Sequence, residues 1–162
     1  MLVNLVKFMK NIPLTTHQTG LLQWKGYRTL EAFLSPVLAK HRLSHSQWKL
    51  LGVVYDARDL QASHIAEILD VKAPLVTRML AQLLEKKLIY IEARSKDRRA
   101  KWVSITASGA KKLTLVEKDV RTMLGKVFQG ISPEHLDAYK EVLKKIVENG
   151  ISLGKKPDTC GP

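Results

Sequence analysis

Apolar residues change their spacing several times along this chain, and each change marks a different element. From about Gln18 to Lys40, Leu21, Leu22, Trp24, Tyr27, Leu30, Phe33, Leu34, Val37 and Leu38 recur at helical spacing. That stripe is too wide for a small helical core alone, so the helix needs a further partner surface. Leu50, Leu51, Val53 and Val54 fill one side of a shorter segment that ends near Asp56 to Asp59, with either Ser44 or Ser46 able to cap its opening amides. Ile65, Ile68 and Leu69 then predict a helix of about two turns capped by Ser63, and Asp70-Val71-Lys72 supplies a turn. Pro74 sits in the first turn of the next helix, where a missing amide hydrogen does no harm. Its apolar set, Leu75, Val76, Met79, Leu80, Leu83 and Leu84, is expected to face inward.

Beyond this point the pattern shortens. Leu88-Ile89-Tyr90-Ile91 and the later Trp102, Val103 and Ile105 are rich in β-formers and read as a hairpin whose tip carries Arg94, Lys96, Arg98 and Arg99. Thr106 caps a long helix through Leu113, Leu115, Val116, Val120, Met123, Leu124, Val127 and Phe128 towards Gly130. Ser132-Pro133 opens a last helix, with Leu136, Tyr139, Val142, Leu143, Ile146 and Val147 expected inward and Asn149-Gly150 as its stop. The order of elements predicts a mainly α protein with a small β-hairpin wing, an α+β winged helix-turn-helix. Residues 1–43 and 107–150 are expected to form a dimerisation module around a DNA-binding domain at 44–106, with a flexible tail at 151–162. The competing reading of the terminal stripes is that they close a monomeric bundle.

Two basic features give this arrangement its chemistry. With the apolar face of the Pro74 helix turned inward, Lys72, Ala73, Pro74, Thr77 and Arg78 lie near its exposed N-terminal half, where a recognition helix meets base edges. The cationic hairpin tip suits phosphates and the narrow, negative minor groove. Alone, such a turn would be read as an ordinary solvated hairpin, and the helices before it change that weighting. Asp97, flanked by Lys96, Arg98 and Arg99, is better explained as the anion that orders the wing by pairing with arginine than as a general acid or base.

The residues from Leu43 to Gly109, about two-fifths of the chain, resemble the MarR family of winged-helix transcriptional regulators. The resemblance rests on Leu43-Ser-His-Ser-Gln47-Trp-Lys-Leu-Leu51, on Ile65-Ala66-Glu67 with Val76-Thr77-Arg78, and on Leu84-Glu85-Lys-Lys-Leu-Ile89. Asp97-Arg98-Arg99 and Val103-Ser-Ile-Thr106-Ala-Ser-Gly109 complete it. Several linked motifs in order are more specific than any one of them. The chain departs from the family at Lys87, where glycine is usual at the helix-to-strand turn, and at Ile91, where arginine is frequent. The resemblance implies an obligate dimer and control by a small ligand. A two-fold dimer would hold its recognition helices about one DNA turn apart, roughly 34 Å, to match an inverted-repeat operator.

Composition agrees with a polyanion partner. The 162 residues carry 27 Lys and Arg against 15 acids, a formal charge of +12, and 45% of them are hydrophobic, which excludes wholesale disorder. Between Lys72 and Lys118, twelve lysines and arginines face four acids, a surplus of eight within the stretch that holds both basic features. No run approaches the roughly 20 apolar residues needed to span a bilayer. Met1 to Met9 is interrupted by Asn4 and Lys7 and makes a poor signal peptide, so membrane is not an expected partner and the cytoplasm is the expected location. The lone Cys160 offers neither an intramolecular disulfide nor a cysteine metal cluster, and residues 1 to 159 hold no thiol for an oxidant switch near the dimer helices.

An enzyme is not expected. None of His17, His41, His45, His64 and His135 sits in a HExxH arrangement or beside a paired nucleophile, and no glycine-rich phosphate loop occurs. His41 and His45 are four apart, but Leu43-Ser44 breaks the helix between them, so His45 reads as a first-turn surface residue rather than a metal ligand. No cofactor or metal is expected. The functions that remain are a sequence-specific homodimeric regulator, the same regulator modulated by a small aromatic or anionic ligand, and a non-specific architectural or adaptor protein. For the ligand, Trp24, Tyr27 and Arg28 on the first helix with His41 and Trp48 near the hinge are the candidate pocket, against plain core for Trp24 and Tyr27.

Overall fold

The computed structural model describes residues 16–93 and 101–154. Helix α1, Thr16–Lys40, follows the first apolar stripe and ends where Arg42 turns left-handed at φ 58°. There the amides of Arg42 and Leu43 bond back to the carbonyls of Ala39 and Leu38, closing the helix end. Helix α2, His45–Ala57, settles the choice of cap. Ser44 Oγ accepts from the Gln47 amide and Gln47 Oε1 accepts from the Ser44 amide, each at 3.2 Å, a reciprocal capping box. Leu50, Leu51 and Val54 on α2 are fully buried.

A short strand β1, Leu60–Gln61, precedes α3, Ala62–Leu69. The length of α3 agrees with the sequence, but its cap does not: Gln61 occupies the N-cap position without a side-chain bond, and Ser63 lies inside the first turn. Pairing of Leu60 with Val103 holds the chain extended up to Gln61, so the helix starts ahead of the serine. Asp70 is left-handed at φ 50°, and α4, Ala73–Glu85, begins after Lys72 with Pro74 in its first turn. Val76, Met79, Leu80 and Leu83 on α4 are buried. Leu75 and Leu84, expected inward, are exposed, because the buried stripe is narrower than the apolar one and leaves both on its flanks.

Strands β2, Ile89–Ala93, and β3, Lys101–Ile105, form the hairpin with Ile91 opposite Val103, and β1 adds to the far edge of β3 in an antiparallel sheet ordered β1-β3-β2. Between α4 and β2 the amides of Lys87 and Leu88 bond to the Leu84 and Leu83 carbonyls, and Lys87 carries the left-handed conformation at φ 56° that glycine would adopt without strain. Lys87→Gly is therefore expected to raise stability by about 0.5–1 kcal/mol, read from urea or thermal unfolding. An equal or lower stability would show that the turn is not strained by its side chain.

Helix α5, Ala107–Val127, starts from Thr106, whose Oγ1 accepts from the Gly109 amide at 2.9 Å and also donates to the carbonyls of Lys87 and Leu88. The close seat of α5 on that turn depends on Gly109, since a Cβ there would run into the Leu88 carbonyl and lie 2.8 Å from Ile105 Cγ1. Leu113, Val116 and Val120 complete the core with Leu38 and Leu43 from the end of α1. Helix α6, Pro133–Ser152, starts from Ser132 as expected but runs past Gly150, and the left-handed glycine beyond its end is Gly154.

The expectation that Leu136, Tyr139, Val142, Leu143, Ile146 and Val147 point into the core of the chain is not met: α6 has no buried residue, and Val142 and Val147 are 56% and 60% exposed. The other side of α6 is polar and carries the pairs Lys140–Asp137, Lys144–Glu141 and Lys145–Glu148. Its apolar side is therefore left without cover by the described residues. The same holds for the first half of α1, where Leu21, Trp24, Tyr27 and Phe33 are exposed while Leu38 near its end is buried.

Candidate nucleic-acid interface

The buried stripe of α4 decides what its other side presents. With Val76, Met79, Leu80 and Leu83 anchored in the core, Lys72, Ala73, Pro74, Thr77 and Arg78 are all exposed on the first two turns. Thr77 Oγ1 donates to the Ala73 carbonyl at 3.1 Å, which orients its methyl group and leaves its oxygen able to accept a further bond. Arg78, one residue on, is charged and solvent-facing. A helix about 12 Å across can enter a major groove of the same width and bring such side chains to base edges.

The wing grows from the paired ends of β2 and β3, where Ala93 faces Lys101. Arg94, Lys96, Asp97, Arg98 and Arg99, named for DNA contact and wing ordering, lie outside the described residues, as does Cys160. What the sheet establishes is the base of the wing: β3 is held on both edges, and the side chain of Ser104 donates to Asp59.

Among the described residues, those named for a ligand pocket lie in two places, Trp24, Tyr27 and Arg28 along α1 and His41 and Trp48 beyond its end. Trp24 is 59% exposed, Tyr27 donates to Glu31 Oε1 at 2.6 Å, and Arg28 lies 3.9 Å from the same carboxylate. Its bond to Glu31 raises the pKa of the Tyr27 hydroxyl. Sixteen residues of α1, about 24 Å at 1.5 Å per residue, separate Trp24 from Lys40 beside His41. Trp24 and Tyr27 are both more than half exposed among the described residues.

His41 and Trp48 instead engage two acids of α5 that the sequence reading did not single out. His41 Nε2 and Lys40 Nζ approach Asp119 Oδ2 at 2.9 and 3.0 Å, and Trp48 Nε1 donates to Glu117 Oε1 at 2.7 Å. The bonds from His41 first, and then Lys40, hold the Asp119 carboxyl below its ordinary range, so this tie persists as pH falls past the usual carboxylate pKa and is lost only below it. His45, expected at the surface, is half-buried, and its Nε2 is enclosed without a partner among the described residues. Beside these contacts an open groove of about 620 Å³ runs between α2 and α5, lined by Tyr55, Asp56, Glu117, Lys118, Arg121 and Thr122 among others.

A three-stranded sheet with an extended hairpin, packed against a helix-turn-helix whose second helix keeps a basic exposed face, defines a winged helix-turn-helix protein. Residues 43–101 match the model of the MarR family. A cysteine-to-serine mutant of MarR from E. coli, solved in complex with operator DNA, superimposes with a TM-score of 0.70 at 20% identity, covering 78% of this chain and 91% of that one. A MarR-family transcriptional regulator from Silicibacter pomeroyi gives 0.69 at 21% identity, over 81% of this chain and 88% of that one. A protein from Listeria innocua described as of unknown function gives 0.65 at 25% identity, over 82% and 93%. These likenesses establish the shared fold. Among the described residues, no helix is long and apolar enough to cross a membrane.

Proposed function

We propose that this protein is a sequence-specific DNA-binding transcriptional regulator that acts as a homodimer on an inverted-repeat operator. The observation that carries this reading is the exposed N-terminal half of α4, where Thr77 and Arg78 project from a helix fixed by four buried residues. The formal charge of +12 favours a polyanion, and the solved MarR of the same fold holds operator DNA. The apolar sides of α1 and α6 that the described residues leave exposed favour a second copy as their cover. Domain boundaries at 43, 106 and 150 divide the chain accordingly, with Arg98 and Arg99 assigned to the minor groove, Arg94 and Lys96 to DNA contact and Asp97 to ordering the wing.

Arg78→Ala is expected to weaken binding to sites selected from a random DNA pool by about 1–3 kcal/mol while leaving the fold intact. Footprinting and titration against random competitor measure this. An equal loss on selected and random duplexes would make Arg78 a phosphate contact, and a wild-type protein without sequence preference would favour the non-specific architectural reading.

Ligand control is the second reading, and the groove between α2 and α5 supports it. Lys118 and Arg121 offer cations and Tyr55 an aromatic wall for an aromatic carboxylate, between the DNA-binding lobe and a flanking helix. To matter, such a compound must prefer one head spacing by about 1–3 kcal/mol. Operator affinity is expected to change with an aromatic carboxylate in the wild type and to respond less in Arg121→Ala. Unchanged affinity across a broad panel would leave a constitutive regulator.

A further inference from the structure

Apolar packing attaches α4 to α2, α3 and β2, and polar bonds tie its C-terminal end to the residues that close α1. Gln47, buried in the first turn of α2, donates from Nε2 to Gln82 Oε1 at 2.7 Å. Its Oε1 accepts from Lys86 Nζ at 2.8 Å as well as from the Ser44 amide. Lys86 Nζ also donates to the Arg42 carbonyl at 2.6 Å. Gln82 and Lys86 are one turn apart at the end of α4, and Arg42 is the left-handed residue that ends α1. A single ammonium thus joins the last turn of α4, the first turn of α2 and the negative end of α1, where a cation is favoured by the helix dipole.

We propose that Lys86 is a positioning residue that sets the tilt of the recognition helix against α1 and so, in a dimer, the spacing of the two DNA-reading heads. The inference rests on the dimeric operator reading given above. Its physical basis is directionality. Apolar contacts among Val76, Met79, Leu80 and Leu83 are non-directional and tolerate small rotations of the helix. Short bonds from a charged donor do not, because they weaken steeply with distance and angle. Lys86 lies at the opposite end of α4 from the DNA-facing residues, twelve positions after Pro74 or about 18 Å along the helix. Its loss should therefore alter spacing without altering how one head reads one half-site.

The test uses the full chain and duplexes carrying the selected half-sites, at the selected spacing and with one base pair added or removed, together with a duplex carrying one half-site. Wild-type protein should prefer the selected spacing. In Lys86→Met, which keeps the aliphatic stem and removes the donors, the ratio between best and altered spacings should fall by about fivefold or more, the scale of a modest coupling between sites. Affinity for the single half-site should stay the same, and Lys86→Arg, which keeps a cationic donor, should retain most of the preference. A wild-type preference that persists unchanged in Lys86→Met would overturn the positioning role alone. An equal loss on single and paired half-sites would overturn it too, by making Lys86 a phosphate contact. A wild type without any spacing preference would remove the dimeric operator reading, and the inference with it.

Discussion

Glutamates introduced together at Val142 and Ile146 are expected to convert the protein to monomers and to lower affinity for a paired operator by about 100-fold or more, the scale of avidity lost when two linked heads become independent. Both residues lie one turn apart on the apolar side of α6, more than half exposed in the single chain. Covering what remains exposed of each such side chain stabilises an interface by about 1 kcal/mol, and a buried carboxylate without a partner reverses that sign. Because neither residue contributes to the core of one chain, helix content by circular dichroism should be preserved. Sedimentation gives the oligomeric state, and titration of paired and single half-sites separates avidity from intrinsic binding. A variant that remains dimeric with unchanged operator affinity would mean that α6 is not the dimer surface.

Gly109→Ala should lower stability by about 3 kcal/mol, which for a chain of this size moves the melting midpoint down by about 6–12 °C. The added methyl would collide with the Leu88 carbonyl, a backbone atom that already accepts from Thr106 and cannot swing aside as a flexible side chain could. Either α5 must lift from the turn or the Thr106 bonds must break, and both loosen the base of the wing. Gly125→Ala supplies the control within the same helix. A Cβ at Gly125 meets nothing within 4 Å, so alanine there should raise stability by about 0.5–1 kcal/mol through helix propensity. Similar effects at the two positions would show that the contact at Gly109 relaxes freely and that the glycine is not required by packing.

The signals read correctly from the sequence are those that act over three or four residues. A serine at 44 or 46, Thr106, Ser132 with Pro133, and Pro74 in a first turn each place a helix start through bonds or geometry local to that start, and the structure chose Ser44 of the first pair. The hairpin was legible for the same reason, since runs of β-forming residues along β2 and β3 need no knowledge of what covers the sheet. Strand β1 was not, because two residues carry no period, and its existence follows from Leu60 and Gln61 reaching Val103 and Trp102. The cap at Ser63 failed as a consequence, with pairing of the preceding residues outweighing a weak local preference.

The candidate recognition face was legible because Val76, Met79, Leu80 and Leu83 repeat at helical spacing and leave Thr77 and Arg78 opposite them. The basic tip of the wing was equally visible as charge, although its residues lie outside those described. The hinge was not. Asp119 meets His41 across 78 positions and Glu117 meets Trp48 across 69, and no periodicity relates residues so far apart.

By itself, then, the sequence determined most helix starts and the hairpin, which residues on α4 and the wing carry positive charge, and that the terminal helices are amphipathic, since all of these follow from bonds and spacing within a few residues. Only the tertiary structure decided which amphipathic faces are covered. Leu75 and Leu84 lie outside the core stripe, the described residues leave the apolar side of α6 open, and Lys86 rather than a neighbour in sequence joins α4 to the end of α1. Burial and long-range hydrogen bonding depend on the distance between elements, and that distance is set by the packing of the whole chain.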